Sequence, residues 1–317
     1  MNVLVMGAGA IGSVLGGYMA LAGHDVSLVG RKPHMEAIRS RGLRIEGIWG
    51  EHLVPGLRTF VDAGELPTQN WDLIIIAAKS HDVAAATKQI QPWLSNRTLV
   101  LSIQNGLGNL EAVSEIVGPQ RAVGGRVIFG VETVEPGKVK ITVYADKVML
   151  GGQRGYVDHQ RVKEIAEAFN QAGIPAEATE EIEKFIWGKV LYNCCLNALS
   201  ALLEVNYGEL LEHDETRQIM SEVIVEIFAV AQKKGVVLAW NSPAEYQDLL
   251  FGRLIPDTYA HRASMLQDIL RGKKTEIDAM NGAVVSLGKQ LGVSTPVNSL
   301  LTRLIKAKER ARRGADS

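Results

Sequence analysis

The sequence has few cysteines and no excess of charge of either sign. Its only two cysteines, Cys194 and Cys195, are adjacent, so they cannot link distant segments, and they do not match a metal-binding pattern. The formal net charge of −1 provides no concentrated positive potential of the kind that phosphate backbones require. We therefore predict no metal site and no nucleic-acid partner, and the cysteine usage is consistent with a reducing compartment.

Long hydrophobic runs are also lacking. No apolar run approaches the ~20 residues that span a bilayer, and residues 3–6 lack the basic flank and long apolar segment of a secretory signal. We therefore expect a globular cytoplasmic protein with no membrane partner. The one basic cluster, residues 306–313, is interpreted as the solvated end of a helix.

Two domains are expected from the length of 317 residues and from a change of pattern near residue 180. Residues 1–180 alternate short apolar strands with helical segments, which is typical of an α/β domain with a parallel sheet. Residues 131–150 look like antiparallel strands added to that sheet, and residues 181–317 look entirely helical. The predicted strands are 2–6, 25–29, 73–78, 98–103, 122–129 and 176–179, and the predicted helices are 158–172, 181–204, 208–234, 243–251, 257–271, 275–291 and 297–312.

A glycine-rich loop directly follows the first predicted strand and opens an amphipathic helix. It has the pattern G-x-G-x-x-G, in which the first glycine permits a tight turn, the second lets the backbone approach a pyrophosphate, and the third lets the helix pack on the strand. This context favours a dinucleotide site over a turn without a ligand. The predicted cofactor-binding residues of the loop are Gly7, Ala8, Gly9, Ala10, Ile11 and Gly12.

The end of the second strand distinguishes between nicotinamide cofactors, because an acidic residue there would bind the ribose 2′-hydroxyl and repel a 2′-phosphate. That strand ends instead in Gly30, Arg31 and Lys32. Arg31 can hold a phosphate in a bidentate way, with Lys32 as a supporting charge. The sequence therefore favours NADPH over NADH, although both cations could be ordinary surface residues.

Polar residues also follow two other predicted strands. Lys79 follows strand 73–78 and Asn105 follows strand 98–103, so both should emerge at the same sheet edge as the glycine loop. Either residue taken alone could equally be a loop cap. Their shared position favours contact with the ribose or nicotinamide end of the cofactor.

In the first helix of the second half, Lys189, Asn193 and Asn197 recur at every fourth position and form one stripe among apolar neighbours. A buried lysine with two amides requires polar partners or a ligand, unless the stripe is a polar seam facing solvent or a domain interface. A second cluster comprises residues 264–268 and 275–278. There Thr275 and Asp278 fit helix capping as well as catalysis, whereas capping does not require Glu276.

These motifs together resemble the ketopantoate reductase family, the 2-dehydropantoate 2-reductases. The matching pieces run in order along nearly the whole chain: the glycine loop, Arg31, Lys79, residues 104–106, the Lys189 stripe, residues 208–210, 264–268 and 275–278. The resemblance implies an N-terminal Rossmann-type domain joined to an all-helical domain, with the active site in the cleft. The implied activity is NADPH-dependent reduction of ketopantoate to pantoate in pantothenate biosynthesis.

The resemblance also implies roles for individual residues. Lys189 would be the general acid that stabilises the developing alkoxide and donates a proton to it, and Glu276 would orient the substrate and assist Lys189. The substrate would be bound by Asn193, Asn197, Ser264 and Asn105, with Lys79 on the cofactor side.

Two departures from the family pattern bear on the substrate. Asparagine is usual at the positions of Tyr207 and His261, and these positions lie at the substrate pocket. The reaction is thus better determined than the 2-oxo acid, and the alternatives are a reductase of another 2-oxo acid or a non-catalytic NADPH-binding regulator. The sequence does not reveal the oligomeric state, although helical domains of this kind often pair as a homodimer.

Overall fold

The computed structural model describes residues 1–315, with side chains described as far as residue 312. The chain forms two compact units. The first comprises Met1–Gln104 and Asn109–Ile182, and the second comprises Asn105–Gly108 together with the chain from Glu183 onward. No pattern in the sequence indicates that residues 105–108 belong with the second unit.

The first unit is built on a mixed ten-stranded sheet. Its strands are β1 (Asn2–Met6), β2 (Asp25–Val29), β3 (Leu43–Gly47), β4 (His52–Val54), β5 (Arg58–Phe60), β6 (Leu73–Ile76), β7 (Leu99–Ser102), β8 (Ala122–Glu135), β9 (Lys138–Gly152) and β10 (Ala176–Ala178). The strand order is β4-β3-β9-β8-β7-β6-β1-β2-β5, with β10 paired to β9. The strands β5, β2, β1, β6, β7 and the start of β8 run parallel, as predicted for a Rossmann-type sheet.

Five helices belong to this unit: α1 (Ala10–Leu21), α2 (Lys32–Arg41), α3 (Val83–Gln89), α4 (Asn109–Val117) and α5 (His159–Gln171). The core lies between sheet and helices and contains fully buried aliphatic side chains such as Val3, Leu15 and Leu28. Helix α1 contains few polar residues because it is buried along most of its length. Its close approach to the sheet fixes the position of the glycine loop that precedes it.

The second unit is helical, as predicted, and its helices are α6 (Ile182–Leu203), α7 (Asp214–Lys234), α8 (Pro243–Leu249), α9 (Ile255–Asp257), α10 (Ser264–Leu270), α11 (Asn281–Leu291) and α12 (Pro296–Ala315). Its core surrounds α6, on which Leu191, Cys194, Cys195 and Leu196 are fully buried. The α/β fold class with an all-helical C-terminal region is therefore confirmed.

Three predicted helices are shorter in the structure. The predicted helix 208–234 divides into a short 3-10 turn, Gly208–Leu211, and α7, which begins only at Asp214. The predicted helix 257–271 is interrupted, because the carbonyls of Tyr259 and His261 accept the amide protons of Gly208 and Tyr207 at 2.9 and 3.0 Å. The predicted helix 275–291 begins only at Asn281. A tight turn precedes it, in which the carbonyl of Ala279 accepts the amide of Leu107 at 2.8 Å.

The basic run at the C-terminus is not simply solvated, which corrects the interpretation from sequence. Lys308 donates to the carbonyls of Ala201 and Leu202 at 2.8 and 3.0 Å, at the C-terminal end of α6. Lys306 lies 2.5 Å from a carboxylate oxygen of Asp278. Both lysines therefore hold α12 to other parts of the helical unit, while the side chain of Arg313 lies outside the described residues.

Candidate active site

The glycine loop lies at the point where the strand order of the sheet reverses. From β1 the chain passes to β2 on one side and later returns to β6 on the other, and both pairs are parallel. Open parallel sheets bind ligands at such a point, outside the carboxyl ends of the strands. The loops after β1 and β6 touch there: a Cβ on Gly7 would lie 2.5 Å from the Ala78 nitrogen, and Gly7 has φ +88°. Only glycine fits this position.

The N-terminus of α1 is open to an anion. Gly9 is exposed and precedes the helix, and the only atom within 4 Å of a Cβ built on it is the Gly7 carbonyl oxygen, at 3.9 Å. The first turn contains no acidic residue, and no side chain caps it. The amides of Ala10 and Ile11 in that first turn have no intrahelical acceptor, and the helix dipole adds positive potential. The loop therefore fits a pyrophosphate.

The two cations predicted to bind a 2′-phosphate lie at the carboxyl end of β2. Arg31 is exposed and precedes the first residue of α2, and Lys32 makes a loose ion pair at 3.8 Å with Glu36 one turn later. No carboxylate occurs between Asp25, at the start of β2, and Glu36. This end of the sheet therefore carries positive charge and, between these two residues, no carboxylate.

The next two strand ends carry Lys79 and Gln104. Lys79 is half-buried and begins the short helical turn Ser80–Asp82. Gln104 joins adjacent strand ends, since its Nε2 donates to the Ile76 carbonyl at 2.5 Å and its Oε1 accepts from the Ser102 hydroxyl at 2.6 Å. Gln104 therefore fixes the backbone where the chain leaves the first unit.

In the helical unit, Asn105 and Glu276 form one polar pair. Asn105 Nδ2 donates to Glu276 Oε2 at 3.3 Å, and Glu276 is only 7% exposed. Gly106 makes this approach possible, because it has φ +91° and a Cβ there would lie 2.1 Å from the Ala279 carbonyl oxygen. A glycine after Gln-Asn is a signal that could have indicated a close backbone approach, but it would not have identified the partner.

Along the predicted stripe on α6, burial increases from a half-buried end at Lys189 to a closed end, shielded from solvent, at Asn197. Lys189 is half-buried, Asn193 is 8% exposed and Asn197 is 2% exposed. At the closed end, Asn197 Oδ1 accepts a hydrogen bond from the Tyr207 hydroxyl at 3.2 Å. This bond orients the amide so that Asn197 keeps its two N–H groups for other partners.

Aromatic rings surround that closed end. Tyr207 is 2% exposed, and its ring centroid lies 5.8 Å from that of Tyr192 and 5.0 Å from that of His261. The Tyr192 hydroxyl is bonded to Thr258 Oγ1 at 2.7 Å. Burial raises the pKa of Tyr207 and lowers the pKa of His261, so both rings are neutral at neutral pH. Tyr192, Tyr207 and His261 therefore form an uncharged aromatic wall, in which Tyr207 contacts both of the other rings.

The remaining residues of the second cluster lie on separate elements. Ser264 is exposed at the first residue of α10, and within the described part of the chain its hydroxyl makes no hydrogen bond. Thr275 Oγ1 accepts from the Ile277 amide at 3.3 Å, and Asp278 pairs with Lys306. Thr275 and Asp278 therefore stabilise the turn that presents Glu276.

The two cysteines lie in the core of the helical unit. Cys194 and Cys195 are free and fully buried, and burial raises the pKa of both thiols. They are therefore poor nucleophiles. Among residues 1–315 there is no group of three or more histidine, cysteine, aspartate or glutamate side chains that could hold a metal ion.

One described helix, Ile182–Leu203, is long and apolar enough to cross a membrane by length and composition. Two thirds of its most apolar window, 67%, is buried inside the protein. The helix therefore has the burial expected of a core helix.

Comparison with protein families decides the affiliation of the chain. Residues 3–153 match the model of the ketopantoate reductase PanE/ApbA, and residues 181–309 match that of its C-terminal domain. The chain belongs to the ketopantoate reductase family. Both halves match in the order that the sequence motifs had indicated.

Individual relatives of the family agree with this result. The chain is 42% identical to the 2-dehydropantoate 2-reductase of Aquifex aeolicus, over 98% of this chain and 97% of that one. It is 37% identical to the enzyme of the same name from Pyrococcus horikoshii, over 98% of both chains. Both alignments therefore include the α/β part and the helical part of the chain.

Two solved structures show how far the likeness in fold extends. A ketopantoate reductase of the PanE/ApbA family from Ralstonia eutropha superposes with a TM-score of 0.88 at 32% identity, covering 99% of this chain and all of that one. D-mandelate dehydrogenase, solved with NADH and anilino(oxo)acetate, superposes with a TM-score of 0.87 at 27% identity, covering 98% and 99%. The same fold thus occurs in proteins named for different substrates.

Proposed function

We propose that this chain is a cytoplasmic NADPH-dependent 2-dehydropantoate 2-reductase, which reduces ketopantoate to pantoate. The observation that carries the proposal is the polar stripe of Lys189, Asn193 and Asn197 on α6, in a chain whose curated relatives bear this name over their full length. The stripe places an ammonium group and two amides on one side of the helix, which is the set of donors that a 2-oxo acid requires. The free, buried thiols Cys194 and Cys195 agree with a reducing compartment.

The cofactor assignment depends on the carboxyl end of β2. Arg31 and Lys32 supply positive charge there, and no carboxylate competes for a 2′-hydroxyl. The glycine loop, Gly7 to Gly12, would receive the pyrophosphate, and Lys79 and Asn105 would contact the ribose and nicotinamide end. The mandelate dehydrogenase structures contain NADH, so the choice of NADPH needs its own test.

The chemistry requires a hydride at C2 of the 2-oxo acid and a proton at its oxygen. Bound NADPH would supply the hydride. Lys189 would donate a hydrogen bond to the carbonyl oxygen, stabilise the negative charge that develops there, and transfer its proton as the C–H bond forms. Glu276, held by Asn105, would orient the substrate and assist Lys189, which would regain its proton from solvent water.

The remaining polar groups would bind the rest of the substrate. The exposed Ser264 hydroxyl would bind the carboxylate, and the Asn193 amide would bind the distal hydroxyl of ketopantoate. Asn197 would do so through its N–H groups, because its oxygen already accepts from Tyr207. This assignment requires an oxygen acceptor at the far end of the substrate.

A second candidate is a reductase of another 2-oxo acid with the same proton donor. It is favoured by the aromatic wall formed by Tyr192, Tyr207 and His261, and by the likeness to a dehydrogenase solved with the aryl compound anilino(oxo)acetate. Ketopantoate and a panel of aliphatic and aryl 2-oxo acids, each tested with NADPH and NADH, separate the candidates. Preference for an aryl acid would replace the ketopantoate assignment.

The proton donor is tested by Lys189→Ala. We expect kcat to fall about 10² to 10⁴-fold, the usual contribution of a general acid, with NADPH binding unchanged. Lys233→Ala, an exposed lysine on α7, is the matched control. Full activity of Lys189→Ala would refute the mechanism, and NADPH binding by a wild type that reduces no 2-oxo acid would favour the regulator.

The oligomeric state is a separate proposal. A homodimer formed through the helical unit is a prediction from the type of domain. The other predicted partner of the chain is its small-molecule 2-oxo acid substrate. Sedimentation of the full chain at several concentrations distinguishes a dimer from a monomer, and a monomer at every concentration would exclude it.

A further inference from the structure

A buried histidine connects three segments around the glycine loop. His34 lies on α2 and is 9% exposed, and both of its ring nitrogens are hydrogen-bonded. Nδ1 lies 2.9 Å from the amide nitrogen of Gly137, in the turn between β8 and β9. Nε2 lies 2.9 Å from the hydroxyl oxygen of Ser13 on α1. The predicted cofactor residues do not include either side chain.

The direction of each bond follows from the donors present. The amide of Gly137 can only donate, so Nδ1 of His34 must accept, and the proton of the neutral ring is on Nε2. Nε2 then donates to Ser13 Oγ, and the Ser13 hydroxyl in turn donates to the Ala8 carbonyl at 3.4 Å. Burial lowers the pKa of His34, which keeps the ring neutral at neutral pH.

This hydrogen-bonded chain ends at Ala8 in one predicted phosphate-binding segment, and His34 itself lies beside the other. Ala8 belongs to the glycine loop, and its amide donates to the Val29 carbonyl at the end of β2 at 2.8 Å. At the other end, the amide of His34 donates to the Arg31 carbonyl at 3.0 Å. Arg31 is therefore one helical turn from the imidazole that holds the loop.

We propose that His34 is a positioning residue for the dinucleotide, which fixes the Arg31 end of α2 against the glycine loop through Ser13. The inference rests on the proposed cofactor site. Neither side chain needs to touch the cofactor, because each acts through the backbone at Ala8 and Arg31. Pyrophosphate and 2′-phosphate are rigidly spaced within one ligand, so a fixed spacing between their two sites lowers the cost of binding.

The test measures cofactor binding directly. Titration of the full chain with NADPH gives Kd for the wild type, Ser13→Ala, His34→Asn and the double variant. Ser13→Ala removes a single oxygen atom, so it still tests the proposal if His34→Asn fails to fold. Ser40→Ala is the matched control, because Ser40 lies on α2 and bonds only to the Ala37 carbonyl, at 3.2 Å.

Each single variant should raise Kd for NADPH by up to about tenfold, because the cofactor would then have to restore a spacing that one internal hydrogen bond had fixed, at a cost of at most that bond. The double variant should be no weaker than the weaker single variant, because both residues act in one chain. Titration with adenosine 2′,5′-bisphosphate, which lacks the nicotinamide, should show the same loss. At saturating NADPH, kcat should be unchanged, whereas a purely structural role would lower stability and leave Kd as it was.

The inference would be overturned if both single variants bound NADPH with the wild-type Kd. It would also be overturned if the increase in Kd of the double variant were the product of the two single increases. Either result would leave the proposed reductase intact if the wild type binds NADPH and turns over a 2-oxo acid. Failure of the wild type to bind NADPH would overturn both the inference and the cofactor assignment.

Discussion

A buried carboxylate at the start of α12 allows a sharp test of what holds the helical unit together. Glu226, on α7, is 8% exposed. Its Oε1 accepts from the Val297 amide at 2.8 Å, and its Oε2 accepts from the Asn298 amide at 3.0 Å and from Asn298 Nδ2 at 2.7 Å. A glutamate of one helix thus caps the N-terminus of another, where the helix dipole favours negative charge.

Glu226→Ala leaves those three donors without an acceptor in a buried site. Each bond to a charged group contributes about 1.5 to 3 kcal/mol, but losses at one site are not additive, so we expect a total of about 3 to 5 kcal/mol. Glu226→Gln keeps the shape and one carbonyl oxygen but turns an amide toward a backbone N–H. It should cost about half as much.

The assay is urea unfolding followed by circular dichroism. Glu222→Ala is the matched control, because Glu222 is exposed on the same helix and its removal should change stability by less than about 0.5 kcal/mol. A loss below about 1 kcal/mol for Glu226→Ala would refute the reasoning, since it would mean that water replaces the carboxylate at little cost. An equal loss in the glutamine variant, which keeps the packing, would show that charge rather than packing is decisive.

Three further outcomes are expected. Gly106→Ala should destabilise the helical unit by more than about 2 kcal/mol in urea unfolding, because φ is positive and a Cβ would lie 2.1 Å from the Ala279 oxygen; wild-type stability would contradict this. Tyr246→Phe should raise stability by about 1 kcal/mol, because the buried hydroxyl has no hydrogen-bond partner among the described residues; a loss would reveal a bound water. Burial lowers the pKa of His34 and His261 below the ordinary 6.5, so both imidazoles take up protons on unfolding. Thermal stability should therefore be highest above pH 6.5 and should fall as pH drops through the lowered pKa values. A melting temperature that does not change from pH 5 to 7.5 would refute this prediction.

The parts of the fold that could be predicted from sequence are those fixed by local patterns. The strands at 2–6 and 25–29 were predicted with their observed bounds, because each is an apolar run that ends at or next to a glycine. Strands β3 to β5 were missed. They are three to five residues long and partly exposed, and β3 and β5 pair with strands distant in sequence. Nothing local distinguishes such strands from loops.

The candidate site divides in the same way. The α6 stripe follows from helical spacing alone, so its three positions could be predicted from the residues themselves. The contact between Asn105 and Glu276 joins residues 171 apart in sequence, and Tyr207 reaches Asn197 from a neighbouring turn. Sequence spacing carries no information on such pairs. The roles of all these residues in catalysis remain predictions until the variants are measured.

The position of Lys189 depends on contacts far from it along the chain. Asn298, capped by Glu226, accepts from Asn281 Nδ2 at 3.0 Å, and the same Nδ2 donates to the Cys194 carbonyl in the middle of α6 at 3.1 Å. At the end of α6, Lys308 binds the carbonyls of the last turn. Helix α12 thus holds α6 at two points beyond the predicted proton donor. A lysine in a basic run looks like a solvated charge, because sequence shows a donor but not the carbonyls that it caps. Loosening α12 should therefore lower kcat as well as stability, even though no residue of α12 is assigned to the substrate.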